Sequence, residues 1–366
     1  MWLGILATVF LVAAGGVAFL MIRALRFGFP KKLYEKNRAL GILASLWPIV
    51  VCLPFLFAGV FAFVIAFIHL FVIWALTDAA VWVIRKLAKK GAATRYINGF
   101  VALSITAVYL AYGWIMAHNV LETSYRLTAD KPLGKQSIRV VALADLHAGV
   151  TLDGDEFAEQ CARINALNPD VVVVGGDFVD DDTSRKDMIR ACEALGTLTP
   201  TYGVYFVYGN HDKGYFRGGS FSAEELHEHL LRNNVTVLTD EIAEVNENLC
   251  IVGRRDASNR DRKSAAELMA SIDPAKYVIM LDHQPTDYDA IEQCAPDLVI
   301  SGHTHGGHVF PAGQIGLLMG ANDALYGMEM RGDTAFLVTS GISGWAIPFK
   351  TLTVSEIVVI DVLQQN

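Results

Sequence analysis

The sequence predicts two parts: an all-α membrane half with four transmembrane helices, followed by an α/β domain. Long uncharged apolar stretches are confined to the residues before about Leu121 of the 366-residue chain. From Ser137 onward, short apolar runs alternate with amphipathic stretches, and the later part is rich in strand-like runs. This alternation is typical of layered α/β folds. We expect a transmembrane domain at residues 1–120, a linker at 121–136 and a globular domain at 137–366.

The first part contains enough apolar sequence for four crossings of a bilayer, each of which takes about 20 residues. Leu3–Ile22 has 20 residues and no charge. Ala39–Ile84 has 46 residues with a single charge, which is too long for one crossing, and Pro48, Pro54 and Gly59 can divide it. The expected helices cover residues 3–22, 40–57, 60–84 and 97–116.

The charged loops between these segments predict the orientation of the chain. Arg23–Arg38 has six basic residues and one acidic residue, and Arg85–Arg95 has five basic residues and no acidic one. Lys and Arg concentrate in cytoplasmic loops. With four spans, we expect a multi-pass protein of the cell membrane, in contact with the lipid bilayer, whose globular domain lies outside the cytoplasm.

The net charge of −8 is unevenly distributed. After Glu122 the chain has 19 basic and 35 acidic residues, a net charge of −16. A domain with this charge repels the phosphate backbone, so we expect no nucleic-acid partner. It remains suited to binding metal cations.

Polar side chains follow the predicted strands at the points where the strands end. Ser137–Leu143, Val171–Val174 and Val204–Tyr208 are three of these strands. Because strand carboxyl ends converge at one edge of an open α/β sheet, where ligands bind, we expect one shared site. The polar residues at the strand ends are Asp145, His147, Asp177, Asp180, Asn210, His211, Asp212, His283, His303, His305 and His308.

These residue types favour a particular class of metal. Carboxylate oxygen, imidazole nitrogen and amide oxygen form a mixed ligand set, which suits Mn, Fe or Zn better than Ca. One carboxylate can bridge two ions about 3.5–4 Å apart. We therefore expect two divalent metal ions as cofactors, with their identity left open between these three metals.

The order of the motifs resembles the calcineurin-like metallophosphoesterase family: Asp-x-His, Gly-Asp-x-x-Asp, Gly-Asn-His-Asp, a later single His, and Gly-His-x-His. The stretch Gly302–Gly307 and the closing segment Ser340–Lys350 resemble its bacterial membrane-associated, phosphodiesterase-like members. The resemblance covers about Ser137–Val362. It implies a layered α/β/β/α sandwich and a metal-dependent hydrolase acting on phosphate ester bonds.

The resemblance also implies a role for each strand-end residue. It assigns the first metal to Asp145, His147 and His305. It assigns the second metal to Asn210, His283 and His303, with Asp177 as the bridge. His211 would face the phosphate and stabilise or protonate the departing oxygen. Asp180 or Asp212 would support His211.

Other residues are weaker candidates for substrate contact. Arg254 and Arg255 follow a strand and fit either a phosphate clamp or a solvated charged turn. His308 and Lys350 stand where the subgroup often has Gln and Arg, which leaves the substrate preference open. The apolar stretch Pro311–Met330 fits either a loop that dips toward the membrane or a packed connection.

Together these features predict a membrane-anchored phosphoesterase that uses metal-activated water on a phosphodiester, pyrophosphate or phosphomonoester. The four spans favour a lipid or lipid-linked substrate. Two alternatives stay open. In one, the enzyme is a general phosphodiesterase for soluble substrates that uses the membrane only as an anchor. In the other, the chain is a metal-binding sensor or transport component.

Overall fold

The chain divides into two compact units, Met1–Tyr112 and Gly113–Asn366, in this computed structural model. The structure describes residues 2–89, 96–213 and 219–365, with side chains from residue 13 onward. Each unit has its own secondary structure and core. The last helix of the first unit continues into the second, so residues 113–118 fold with the α/β unit.

The described part of the first unit is entirely helical. A short 3₁₀ helix at Leu53–Ala58 precedes the longest helix. The α-helices are α1 (Trp2–Ala24), α2 (Gly28–Lys36), α3 (Arg38–Ala44), α4 (Trp47–Val50), α5 (Val60–Leu87) and α6 (Asn98–His118).

Two helices of the described residues, α5 and α6, are long and apolar enough to cross a membrane, which corrects the expectation of four. The span expected at 40–57 is wrong, because this stretch is broken into α3, α4 and the 3₁₀ helix. Pro48 and Pro54 lie at the starts of the last two pieces, where the missing N–H cannot extend a longer helix. A bent pair of helices, Ala13–Ala24 and Gly28–Lys36, counts as a third span only if taken together across its 90° bend.

The expected first span, 3–22, lies within α1, but the side chains of residues 3–12 are outside the described residues. Residues 90–95 of the second basic loop are also outside them.

The charge inside the apolar sequence is paired. Asp78 on α5 forms an ion pair with Arg23 at 2.6 Å and accepts hydrogen bonds from Tyr96 and Asn98. This pairing explains how α5 tolerates a carboxylate.

The second unit contains two six-stranded mixed sheets. The first sheet has the order β1-β12-β2-β3-β4-β5, in which β2 to β5 run parallel. Its strands are β1 (Val120–Ala129), β2 (Ser137–Leu143), β3 (Val171–Val174), β4 (Val204–Val207), β5 (Val235–Leu238) and β12 (Ser355–Gln364).

The second sheet has the order β10-β11-β9-β8-β7-β6, with β7, β8, β9 and β11 parallel. Its strands are β6 (Glu241–Glu244), β7 (Leu249–Gly253), β8 (Tyr277–Leu281), β9 (Leu298–Ser301), β10 (Gly327–Arg331) and β11 (Thr334–Val338). The helices of this unit are α7 (Gly154–Ala166), α8 (Arg185–Gly196), α9 (Ala223–Arg232), α10 (Ala265–Met269), α11 (Tyr288–Glu292) and α12 (Ala312–Leu318).

Alternate residues of each central strand enter different cores, as the two-residue period of a strand requires. On β2, Val140 and Ala142 join a cluster that also contains Ile251 and Ile279 of the second sheet. Val141 and Leu143 instead pack in a cluster with residues of α7 and α8. A third cluster joins the second sheet to α10 and α11. Because both faces of each sheet are covered, the central strands are continuous apolar runs in the sequence.

The residues that we expected to form a linker contain a strand. β1 occupies Val120–Ala129 and pairs in parallel with β12 over ten residue pairs. Its two end residues are buried and the side chains from Thr123 to Thr128 alternate between half-buried and exposed, which explains the polar composition of the segment. The chain therefore passes from the end of α6 directly into the first sheet.

Candidate metal centre

The loops that follow β2, β3, β4, β8 and β9 bring the predicted polar residues together. Two groups of side chains present ligand atoms within 4.8 Å of one another. The first group is Asp145, His147 and His305, and the second is Asp177, His283 and His303. The first group takes its members from two loops and the second from three, so the folded sheets are needed to assemble either one.

Asp177 lies between the two groups and is almost fully buried. One of its carboxylate oxygens, Oδ2, is 3.0 Å from Nε2 of His283 and 3.8 Å from Nε2 of His147. Its other oxygen, Oδ1, accepts a hydrogen bond from the backbone N–H of His211 at 2.8 Å. One carboxylate therefore contacts a member of each group.

Three histidines are oriented by an oxygen atom at Nδ1. His283 Nδ1 lies 2.7 Å from the carbonyl oxygen of Gly175, and His305 Nδ1 lies 3.3 Å from that of Ser343. His147 Nδ1 lies 3.3 Å from a carboxylate oxygen of Asp180. An N–H at Nδ1 leaves the lone pair on Nε2, which faces the centre and is free to bind a metal.

The backbone of the centre is held in unusual conformations. Asp145, His147, Asp177, His303 and His305 all have positive φ angles between 40° and 69°. Non-glycine residues adopt this left-handed region rarely, and it concentrates at functional sites. Two glycines make the close approach possible: a Cβ on Gly302 would lie 2.7 Å from Oδ2 of Asp145, and one on Gly209 would collide with Asp177.

Asp212 secures the loops rather than entering the centre. Its buried carboxylate accepts hydrogen bonds from four backbone N–H groups, those of Asp177, Phe178, Val179 and Gly209. These bonds join the loop after β3 to the loop after β4. We expected Asp180 beside His211. Within the centre, the structure describes a contact between Asp180 and the ring of His147.

The electrostatics of the centre suit divalent cations. Burial raises the pKa of Asp145 to about 6, with the nearby charge of Asp177 adding to the effect. For Asp177, burial is outweighed by the charges of His283 and His147, so its pKa is lowered. Burial lowers the pKa of His303 to about 4, which leaves its ring neutral. A bound cation would take over the role of the imidazolium charges of His283 and His147, because buried carboxylates and unprotonated imidazoles together form a ligand set for divalent metals.

Buried polar atoms without hydrogen-bond partners give an independent test of this fit. Among the described residues, Nε2 of His147 and Oδ1 of Asn210 are two such atoms. Leaving a buried polar atom unpaired costs about 1–3 kcal/mol, so such atoms call for a partner. Both residues belong to the predicted ligand set, and both atoms are of types that bind divalent metals. The residues present therefore fit a two-metal centre.

The residues suggested as substrate contacts are placed differently. Arg254 is 3% exposed and its guanidinium forms a 2.5 Å ion pair with Asp282, the neighbour of His283. Arg255 is half-buried and pairs with Asp240 at 3.4 Å. The ring of His308 stacks on that of His305 with centroids 5.0 Å apart. His308 therefore packs against the proposed ligand His305. Arg254 pairs with the residue next to the proposed ligand His283.

Two residues of the closing segment, to which the sequence analysis assigned no role, complete the surroundings. Trp345 is 43% exposed, and its ring lies 5.1 Å from that of His211. Lys350 is fully buried and its ammonium group donates hydrogen bonds to the carbonyl oxygens of Ser340 and Gly341. A Cβ on Gly341 would lie 2.7 Å from that of Asp145, so the loop that Lys350 binds is in direct contact with Asp145. Lys350 therefore stabilises the backbone next to this carboxylate.

Lys350 gives a prediction about stability and pH. Burial lowers the pKa of Lys350 to about 7, against 10.5 for an ordinary lysine. Between these values the unfolded chain binds more protons than the folded one, so Lys350 makes the free energy of unfolding rise with pH, by at most ~1.4 kcal/mol per pH unit. Lys350→Met removes this contribution. In thermal unfolding from about pH 7 to about pH 9, the midpoint of the wild type should therefore rise relative to that of the variant; parallel profiles would contradict this.

Comparisons with known proteins agree with this geometry. Residues 138–307 match the family model described as calcineurin-like phosphoesterase. The chain is 30% identical to an uncharacterised metallophosphoesterase of Campylobacter jejuni over 71% of this chain and 68% of that protein. It is 30% identical to one of Helicobacter pylori over 74% and 72% of the two chains. It is 32% identical to the zebrafish transmembrane protein with metallophosphoesterase domain over 70% of this chain, but spans only 60% of that protein.

Proposed function

Because the chain belongs to the calcineurin-like phosphoesterase family and is thus a metal-dependent hydrolase of phosphate esters, we propose a membrane-anchored enzyme with a two-metal centre. Its substrate is a phosphodiester, pyrophosphate or phosphomonoester. Among these, we favour an ester that belongs to a lipid or a lipid-linked molecule. The observation that carries the proposal is the position of the Asp177 carboxylate between two groups of ligand atoms. The layering that we propose is α/β/β/α, with the two sheets at the centre.

Each proposed ligand has a place in this scheme. Asp145, His147 and His305 would hold one ion, and Asn210, His283 and His303 the other, with Asp177 shared. When bound, divalent ions of this kind lower the pKa of water and offset negative charge on phosphoryl oxygens. Mn, Fe and Zn suit the mixed ligand set.

The surrounding residues position these groups and receive the substrate. Asp180 orients the ring of His147, and Asp212 fixes the backbone on either side of the Asp177 carboxylate. His211 and the exposed ring of Trp345 lie side by side near the centre. His211 would donate a hydrogen bond to a phosphoryl oxygen or supply a proton to the departing oxygen. Trp345 would pack against the rest of the substrate.

The proposed orientation places the α/β unit outside the cytoplasm. It rests on one basic loop and one helix. Arg85–Arg95 carries five basic residues, which favours the cytoplasmic side. The apolar helix α6 follows this loop and leads into the α/β unit. A single crossing by α6 then brings the metal centre to the opposite face of the membrane.

Hydrolysis assays test this function. Purified protein with added Mn should hydrolyse bis-p-nitrophenyl phosphate or p-nitrophenyl phosphate, and the preferred ester distinguishes diesterase from monoesterase. His303→Ala should reduce the rate by at least ~100-fold, because it removes a proposed ligand. His229→Ala, on α9 away from the centre, is the matched control. In sealed right-side-out vesicles, the same rate without detergent is expected from the proposed orientation. Metal-independent hydrolysis, or equal rates in both variants, would refute the two-metal assignment.

A further inference from the structure

One helix near the metal centre, α12, does not pack against a hydrophobic core. α12 has no buried residue, although most of its side chains are apolar. Leu318 and Met319 are 87% and 80% exposed. Residues 309–322 contain no charged residue, within a part of the chain that carries a net charge of −16. We name the exposed apolar side chains of this region the apolar ledge: Phe310, Ile315, Leu317, Leu318 and Met319.

The apolar ledge is attached to the last turns of α6 by one short segment. The backbone N–H of Phe310 donates to the hydroxyl of Thr351 at 3.0 Å. The next residue back along the chain, Lys350, donates its backbone N–H to the carbonyl oxygen of Gly113 on α6 at 2.9 Å. A Cβ on Gly113 would lie 2.9 Å from the Thr351 methyl group, so helix and segment are in direct contact. The ledge is thus fixed to α6 at the level of Gly113.

The end of α6 is where the edge of a bilayer is expected. α6 is one of the two helices of the described residues that are long and apolar enough to cross a membrane. Gly113 lies five residues before its end at His118, about 7.5 Å at ~1.5 Å per residue. Beside it, Trp114 and Ile115 are 41% and 50% exposed. Exposed Trp near the end of an apolar helix is typical of the membrane–water interface.

The ledge is also attached to the metal centre. A Cβ on Gly313 of α12 would lie 2.3 Å from the Cα of Gly307, so the two backbones are in direct contact and position 313 has no room for a side chain. Gly307 belongs to the loop that carries His305, and the backbone N–H of Thr351 donates to the carbonyl oxygen of His308 at 2.9 Å. The ledge is therefore in direct contact with the loop that carries His305.

We propose that the apolar ledge inserts into the outer part of the lipid bilayer and holds the metal centre at the level of the lipid headgroups. Apolar helical surfaces that lie in a membrane interface bury about 5–10 Å into the boundary between headgroups and acyl chains. Continuity with α6 selects the bilayer as the occupant of this surface. Resting on the proposed function, the substrate class that follows is a phosphate ester whose apolar portion stays in the membrane while its phosphate reaches the metals.

Spin labelling of the full chain in nanodiscs of phosphatidylcholine and phosphatidylglycerol tests the insertion. The background is Cys294→Ala, since the four other cysteines are buried. Labels are placed at Leu318→Cys and, as the matched control, at Leu231→Cys, an exposed leucine on α9. At position 318, collisions with oxygen should exceed those with a water-soluble nickel chelate, and at position 231 the order should reverse. Equal behaviour at both positions, or spin–spin broadening from a second copy covering the ledge, would overturn the proposal.

A second arm separates this inference from the proposed function. The substrate is hexadecyl p-nitrophenyl phosphate in phosphatidylcholine vesicles; water cleaves the P–O bond, p-nitrophenol leaves and hexadecyl phosphate remains. Leu318→Glu should lower turnover of this ester about tenfold, equivalent to ~1.4 kcal/mol, and leave soluble bis-p-nitrophenyl phosphate unaffected. Leu231→Glu should change neither rate. Loss of both activities in Leu318→Glu would overturn the proposed role of the ledge. A wild type that is inactive on every ester would refute the proposed function, and the labelling result alone would then decide whether the ledge inserts.

Discussion

Asp177→Asn is expected to abolish the binding of both metals, because its carboxylate lies between the two groups of ligand atoms. Oδ2 of Asp177 is 3.0 Å from His283 and 3.8 Å from His147, one member of each group. The amide of asparagine removes a negative charge from a buried position and replaces one carboxylate oxygen with a donor. The loss in affinity should exceed the ~10–100-fold that removal of an outer partner typically costs.

Metal content after equilibrium dialysis against Mn is the measurement, with elemental analysis of the retained protein. Asp361→Asn is the matched control, since this carboxylate pairs with Arg139 on the first sheet and is not part of the centre. The control should keep the metal content of the wild type. Retention of one ion in Asp177→Asn would show that this residue serves one site alone, and retention of both would exclude it as a ligand.

The parts of this structure that the sequence predicted have a common physical basis. Buried parallel strands are continuous apolar runs, so Ser137–Leu143 and Val171–Val174 were predicted with the bounds that the structure shows. Their carboxyl ends lie at one edge, and the polar residues that follow them were therefore expected to meet. The structure places Asp145, His147 and His305 together on this basis.

The strand β1 was predicted as a linker because only part of it is buried. Its residues alternate in exposure, and the sequence Val-Leu-Glu-Thr-Ser-Tyr-Arg-Leu-Thr-Ala contains two charges. Its partner β12 lies at the far end of the chain, with Val120 opposite Ser355. A pairing between such distant segments leaves no local pattern. The strand is stabilised by a neighbour that sequence periodicity cannot identify.

The burial of two charged residues was not predicted, for a related reason. A charged residue is expected at the surface unless it has a partner. Arg254 is buried by its ion pair with Asp282, 28 positions later, and Lys350 by the carbonyl oxygens of Ser340 and Gly341. Neither partner is visible in the residues beside the charge. The span expected at 40–57 fails locally instead, since Pro48 and Pro54 break the helix that its apolarity suggested.

His211→Ala is expected to lower turnover by about 10²–10⁴-fold, the usual contribution of a residue that transfers a proton, without loss of metal. The substitution is selective because His211 holds Asp177 through its backbone N–H, which alanine retains. Only the ring is lost, from a half-buried position beside the exposed ring of Trp345. The measurements are metal content and kcat with a dialkyl phosphate diester, whose leaving group requires a proton, and His229→Ala is the control. Unchanged turnover would remove His211 from the mechanism.

The leaving group then distinguishes the two roles left open for His211. Burial lowers the pKa of its ring, so near neutral pH it is mostly a neutral donor of one hydrogen bond. p-Nitrophenolate leaves readily without a proton, whereas an alkoxide requires one. If His211 protonates the departing oxygen, His211→Ala should impair an alkyl diester much more than a p-nitrophenyl diester. If it stabilises charge on the phosphoryl oxygens, both esters should lose turnover by the same factor, because those oxygens carry similar charge in both transition states.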